Sequence, residues 1–149
     1  MKYLGIDYGS KRIGLSISDE GGSMAFPYKI LQNNFELEDQ IHNICGEENI
    51  SAIVLGLSLD NDGGENNITG SIEAFKKNIE ASLGLPVYYQ KEFMTTVFAR
   101  EAMLASFGFN NKDINKSKKL SKPKIEKADS HAATMILQRF LDKKNNSVN

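Results

Sequence analysis

Apolar and polar positions alternate in two short stretches near the start of the chain, Lys2 to Tyr8 and Arg12 to Ser18, with Gly9, Ser10 and Lys11 between them. A period of two predicts strands, and so short a gap predicts a hairpin. The turn-forming run Asp19-Glu20-Gly21-Gly22 comes next, and Met24 to Leu31 then predicts a third strand. That strand belongs at a sheet edge, because Pro27 has no N–H to give to a ladder. The period then lengthens: Leu37, Ile41, Ile44 and Cys45 recur at helical spacing. Ser51 to Leu59 is a continuous apolar run, the mark of a strand covered on both faces. Ile68, Ile72, Phe75, Ile79 and Leu83 predict a second helix, which Gly84 ends, and Leu85 to Gln90 predicts a fifth strand. Thr95 or Thr96 can cap a third helix carrying Phe98, Ala102 and Ala105, and a last helix runs from about Ile125 to Asp142. The order βββαβαβα is that of an α/β protein with one mixed five-stranded sheet and helices on both faces.

The chain has 149 residues, 40% of them hydrophobic and 25% charged, which suits one domain, expected over residues 1–142, with a fraying polar tail at 143–149. A chain of this size builds a core without staples, and its single cysteine, Cys45, can form neither an internal disulfide nor a zinc cage. No apolar run approaches the roughly 20 residues that span a bilayer, so a cytoplasmic location is expected. The net charge of −1 excludes a broadly basic protein that coats nucleic acid indiscriminately. Its distribution is uneven. Lys112 to Lys127 holds seven lysines against Asp113 and Glu126, a local charge of +5. Such a stretch is either a solvated loop or a basic flap over an acidic site.

Acids stand where acids are costly. Asp7 lies inside a stretch otherwise suited to a central strand, flanked by Gly5 and Gly9, which admit a ligand to the backbone. In the last helix Asp129 shares one face with Ala132, Ala133, Ile136 and Phe140, at spacings of three, four, seven and eleven. The small alanines let that helix approach the sheet and bring the Asp129 carboxylate within reach of a strand residue such as Asp7. Glu92 closes the fifth strand, at the end where α/β sheets place ligand groups. Three converging carboxylates repel one another, and they take up protons or bind cations. Oxygen ligands without a Cys or His cluster select Mg²⁺ or Mn²⁺, ions that support phosphoryl-transfer hydrolysis. Asp60 or Asp62, in the Gly-rich loop after the fourth strand, is a candidate supporting acid. His42, His131 and Cys45 read as ordinary structural residues.

The segment Gly5-Ile-Asp-Tyr-Gly-Ser-Lys-Arg-Ile-Gly-Leu-Ser-Ile-Ser-Asp19 resembles the opening of the YqgF family, bacterial RNase H-like proteins described as Holliday-junction resolvases and as pre-16S ribosomal RNA nucleases. The resemblance continues through Leu55-Gly-Leu-Ser-Leu-Asp-Asn-Asp-Gly63, through Glu92 with Thr95 and Thr96, and through Lys127 to Ala133 with Ile136-Leu-Gln138. It implies an RNase H-like fold, nuclease activity, and metal-binding catalytic roles for Asp7, Glu92 and Asp129. Departures from the family pattern are Lys91 and Phe93 on either side of Glu92, Ser58 in place of a proline and Asp60 in place of an asparagine.

The reading that joins these features is a metal-dependent nuclease for structured nucleic acid, an rRNA precursor or branched DNA, acting as monomer or homodimer. Lys11 and Arg12 in the first turn, and Lys116, Lys118, Lys119 and Lys122 in the basic stretch, are the candidate phosphate-binding residues. An ATP-binding domain of the actin and sugar-kinase type opens with a similar hairpin but needs a second, repeated domain. A non-catalytic RNA- or ribosome-binding module with the same fold is the remaining alternative.

Overall fold

The computed structural model describes residues 1–57, 65–90 and 122–147, without the side chains of 57, 65–69 and 122–130. Three strands open the chain, β1 (Tyr3–Tyr8), β2 (Arg12–Ser18) and β3 (Ala25–Gln32), followed by helix α1 (Leu37–Glu47), β4 (Ala52–Leu57), α2 (Glu65–Leu83), β5 (Val87–Tyr89) and the long helix α3 (Lys122–Ser147). The expected third helix, with Thr95, Thr96, Phe98, Ala102 and Ala105, lies outside the described residues, as does the loop bearing Asp60 and Asp62.

The five strands form one sheet in the order β3-β2-β1-β4-β5. β1, β2 and β3 pair antiparallel, whereas β4 pairs parallel to β1 and β5 parallel to β4. β3 is at an edge, as Pro27 requires, and the β2–β3 register shifts between Leu15 and Ser16, next to the pairing of Ser16 with Pro27. The turn into β3 is held by Asp19, whose carboxylate accepts the N–H groups of Ser23 and Met24 at 2.7 and 3.1 Å. β5 is shorter than the expected Leu85 to Gln90, although the ladder bonds reach Pro86 and Gln90: Ile53 N–H donates to Pro86 O, and Gln90 N–H to Leu55 O.

Strand alternation sends the side chains of β1 to two cores. Leu4, Ile6 and Tyr8 join Ile53 and Leu55 of β4 under Leu37, Ile41, Ile44 and Cys45 of α1 and Ile72, Phe75 and Ile79 of α2. On the other face Tyr3, Ala52 and Val54 meet Ile136, Leu137 and Leu141 of α3. β4 is therefore covered on both sides, which is why its sequence shows no alternation. Gly84 ends α2 at φ +67°, a left-handed conformation in which glycine carries no side-chain penalty.

The polar segment from Lys143, expected to fray, instead continues α3 as far as Ser147. Lys144 Nζ lies 4.6 Å over the Tyr3 ring and donates to the Tyr3 hydroxyl, and Asn145 Nδ2 donates to Gly22 O at 3.1 Å, so tertiary contacts hold these turns to the sheet.

Candidate functional site

Asp7 occupies the middle strand and is 5% exposed. It shares a face with Tyr3 and Gly5, the face that α3 covers. Its register partners are Gly14 on β2 and Gly56 on β4. Neither neighbour has a side chain of its own beside the carboxylate, and over Gly56 that space is taken by Ile136 of α3. Sequence reasoning missed both glycines. The signal was present, since a glycine inside an apolar strand pattern marks a close approach of another group.

α3 lies close because the sheet is bare beneath it. A Cβ on Gly5 would stand 2.8 Å from Leu137 Cβ and 3.2 Å from Ala133 O, and one on Gly56 would meet the Ile136 side chain at 2.6 Å. Ser16 Oγ donates a 2.8 Å hydrogen bond to Ala133 O, tying β2 to the helix backbone. Ala132 and Ala133 are both buried, as their small size predicts for a helix pressed on a sheet. Asp129 is in the same helix, one turn before Ala133; its side chain is outside the described ones. Glu92 lies outside the described residues, two positions beyond Gln90.

Of the candidate phosphate ligands, Lys11 is exposed in the β1–β2 turn and Arg12, half-buried, opens β2. Asn33 pins this turn: its Nδ2 donates to Gly9 O at 2.8 Å, and its backbone N–H donates to Lys11 O at 2.9 Å. Asp7 and the two cations thus share one end of the sheet. Lys116, Lys118 and Lys119 lie outside the described residues, and Lys122 begins α3 with its side chain undescribed.

Of the residues read as structural, His42 and Cys45 lie on the α1 side of the sheet, whereas His131 follows Asp129 by two residues in α3. Cys45 is buried in α1, and desolvation pushes its thiol up to about 11. His42 pairs with Ser82 at 2.8 Å between α1 and α2, and His131 is buried in α3. Among the described residues no group of three His, Cys, Asp or Glu gathers as a metal site, and no helix is long and apolar enough to cross a membrane.

Comparison with known proteins adds a family and a fold. The family model for RuvX, described as Holliday junction resolvase, matches residues 1–143. A protein of Nitratidesulfovibrio vulgaris (strain DSM 19637 / Miyazaki F), named "Putative pre-16S rRNA nuclease", is 34% identical over 144 residues, covering 95% of this chain and 94% of that protein. One of the same name from Pelagibacter ubique (strain HTCC1062) is 35% identical over 150 residues, with 98% and 91% covered. The fowlpox virus resolvase, solved with substrate Holliday junction DNA, superposes with a TM-score of 0.55 at 15% identity over 96% of this chain and 98% of its own. Thermus thermophilus RuvC, in complex with a Holliday junction substrate, gives 0.53 at 15% identity over 97% and 96%. These likenesses show the RNase H-like fold.

Proposed function

The chain belongs to the RuvX family of Holliday junction resolvases and is a nuclease, and we propose that it hydrolyses phosphodiester bonds at the 5′ end of pre-16S ribosomal RNA, with Asp7, Glu92 and Asp129 holding Mg²⁺ or Mn²⁺. The reading includes action in the cytoplasm as a monomer or homodimer. One observation carries it: a carboxylate 5% exposed on the central strand, with glycine on both flanking strands. A buried carboxylate is costly unless a cation or hydrogen bonds compensate it, and a hard oxygen donor suits a hard divalent ion.

The packing of α3 supports Asp129 as a partner. Tyr3 meets Phe140, and Gly5 meets Leu137 and Ala133, so α3 runs antiparallel to β1. Two strand residues advance about 6.7 Å, the rise of between four and five helical residues, which sets the turn beginning near Asp129 level with Asp7. Glu92 is supported by its approach: Gln90 bonds to Leu55, next to the Gly56 that pairs with Asp7.

The group bound by these acids would supply positive charge at the scissile phosphate and a water of lowered pKa. The protein's own part is rigid placement. Asp7 is locked by ladders on both sides, and Lys11 and Arg12 stand at the same end to hold phosphates of the backbone without reading bases. The substrate assignment takes its direction from the two relatives, which bear that substrate in their names.

The test is cleavage of a pre-16S rRNA fragment and of a four-way DNA junction in Mg²⁺ or Mn²⁺. Asp7→Asn should abolish cleavage and leave the fold intact. Full activity in that variant would remove Asp7 from the site. Binding without cleavage by the wild-type chain would favour a non-catalytic module, and preference for the junction would overturn the RNA assignment.

A further inference from the structure

At the end of the sheet away from Asp7, a cavity of about 360 Å³ opens between β1, β5 and the last turns of α3. Tyr3, Tyr88 and Phe140 form its aromatic wall, and Lys143 and Lys144 stand on its rim. Tyr88 is register partner to Val54, so it belongs to the face that α3 covers, yet it stays 44% exposed. Its ring stacks on Phe140, with centroids 5.3 Å and planes 28° apart, and Phe140 in turn meets Tyr3 at 5.8 Å. Among the described residues no acidic side chain lines the cavity. The fold thus holds a half-open aromatic groove, with the stacked Tyr88–Phe140 pair on one side and two cations on its rim, and the nuclease site at the other end leaves it unused.

A groove of this kind has a chemical counterpart. Bases stack on aromatic faces whatever their sequence, while the phosphates between them pair with lysine. An acidic peptide would use the lysines but leave the stacked ring pair without a matching flat surface. We propose that this groove is a second nucleic-acid contact, binding one nucleotide of a single-stranded flank with its base on Tyr88 and its phosphate at Lys143. The flank belongs to the substrate of the nuclease reading, on which this inference rests in that respect. Tyr88 is level with Val54 and so with Gly5, about 7 Å along the strands from Asp7 and about 10 Å across them, so a strand engaged at both points must cross β4.

The experiment measures binding of the full chain in EDTA, where metal-dependent cleavage is off. Two fluorescein-labelled probes are compared by anisotropy, a single strand of about twelve nucleotides and a blunt hairpin duplex of the same composition. Tyr88→Ala should weaken single-strand binding by about fivefold or more and duplex binding by less than about twofold. Tyr88→Phe keeps the ring and should bind as wild type does. Lys143→Ala should lower the log–log salt slope by about one. Circular dichroism confirms that each variant is folded, and Tyr88→Phe and Lys143→Ala test the groove even if Tyr88→Ala does not fold. Because binding is read in EDTA with no cleavage, failure of this inference shows in oligonucleotide binding and failure of the nuclease reading in the separate cleavage assay, so the two are distinguishable. Wild-type single-strand binding by Tyr88→Ala, or equal losses in Tyr88→Ala and Tyr88→Phe, would overturn the proposal. So would loss of self-association in Tyr88→Ala with oligonucleotide binding intact, because the groove would then be occupied by a second copy.

Discussion

Replacing Gly5 by alanine puts a methyl group where β1 and α3 touch. The new Cβ would stand 2.2 Å from Ser16 Oγ, 2.8 Å from Leu137 Cβ and 3.2 Å from Ala133 O. Ser16 can turn away only by giving up its 2.8 Å bond to Ala133 O, a buried bond worth about 1 kcal/mol. Leu137 Cβ cannot move without its backbone, so α3 must shift, and overpacking of this kind costs roughly 1–3 kcal/mol. The entropy that alanine removes from the unfolded chain returns about 0.5–1 kcal/mol. The net expectation is a loss of about 2 kcal/mol, or roughly 4–8 °C in Tm for a domain of this size. Thermal and urea unfolding of the metal-free chain measures it, with Gly46→Ala as the control. Gly46 sits in α1 with nothing within 4 Å of a built Cβ, and the same substitution there should stabilise by about 0.5–1 kcal/mol. Cleavage by Gly5→Ala at a temperature where it is fully folded should also fall, because the helix that carries Asp129 is displaced. A Gly5→Ala variant as stable as wild type would refute the close packing from which the position of that helix was derived.

Changing Lys116, Lys118, Lys119 and Lys122 to alanine together should weaken binding about equally for unrelated sequences and reduce the salt slope by a few units, measured by anisotropy titrations at several salt concentrations; an unchanged slope would leave the stretch as a solvated loop. Cys45, buried and with its thiol pushed up to about 11, should react with iodoacetamide at pH 8 at least about a hundredfold more slowly in the folded chain than in urea, read by mass spectrometry. Equal rates would mean that α1 does not bury it. The N–H groups of Met24 and Ser23 hold the Asp19 carboxyl below its usual range, so its contribution to stability is full above about pH 4, the unfolded value, and is lost as pH falls through the lowered folded value. The Tm difference between wild type and Asp19→Asn should therefore shrink as the pH drops below about 4; a difference constant down to pH 2.5 would contradict the role of the charge.

Local periodicity is a property of the chain itself, and what depends on it could be read directly. The bounds of β2, the buried stripe Leu37, Ile41, Ile44 and Cys45, and the two-sided burial of β4 all follow from which positions must leave water. The acid on β1 was visible for the same reason, as a carboxylate where the pattern demands an apolar side chain. Long-range pairing is different, because the spacing of residues along a strand does not say which strand lies beside it. Only the folded sheet sets Gly14 and Gly56 on either side of Asp7, and only the seating of α3 joins Ser16 to Ala133. The last turns of α3 make the same point. Read alone, Lys143 to Ser147 is too polar to hold a helix, and it is helical because Tyr3 and Gly22, more than a hundred residues away, provide partners for Lys144 and Asn145. Sequence patterning determines which residues must be buried, while the tertiary structure decides what each of them is buried against.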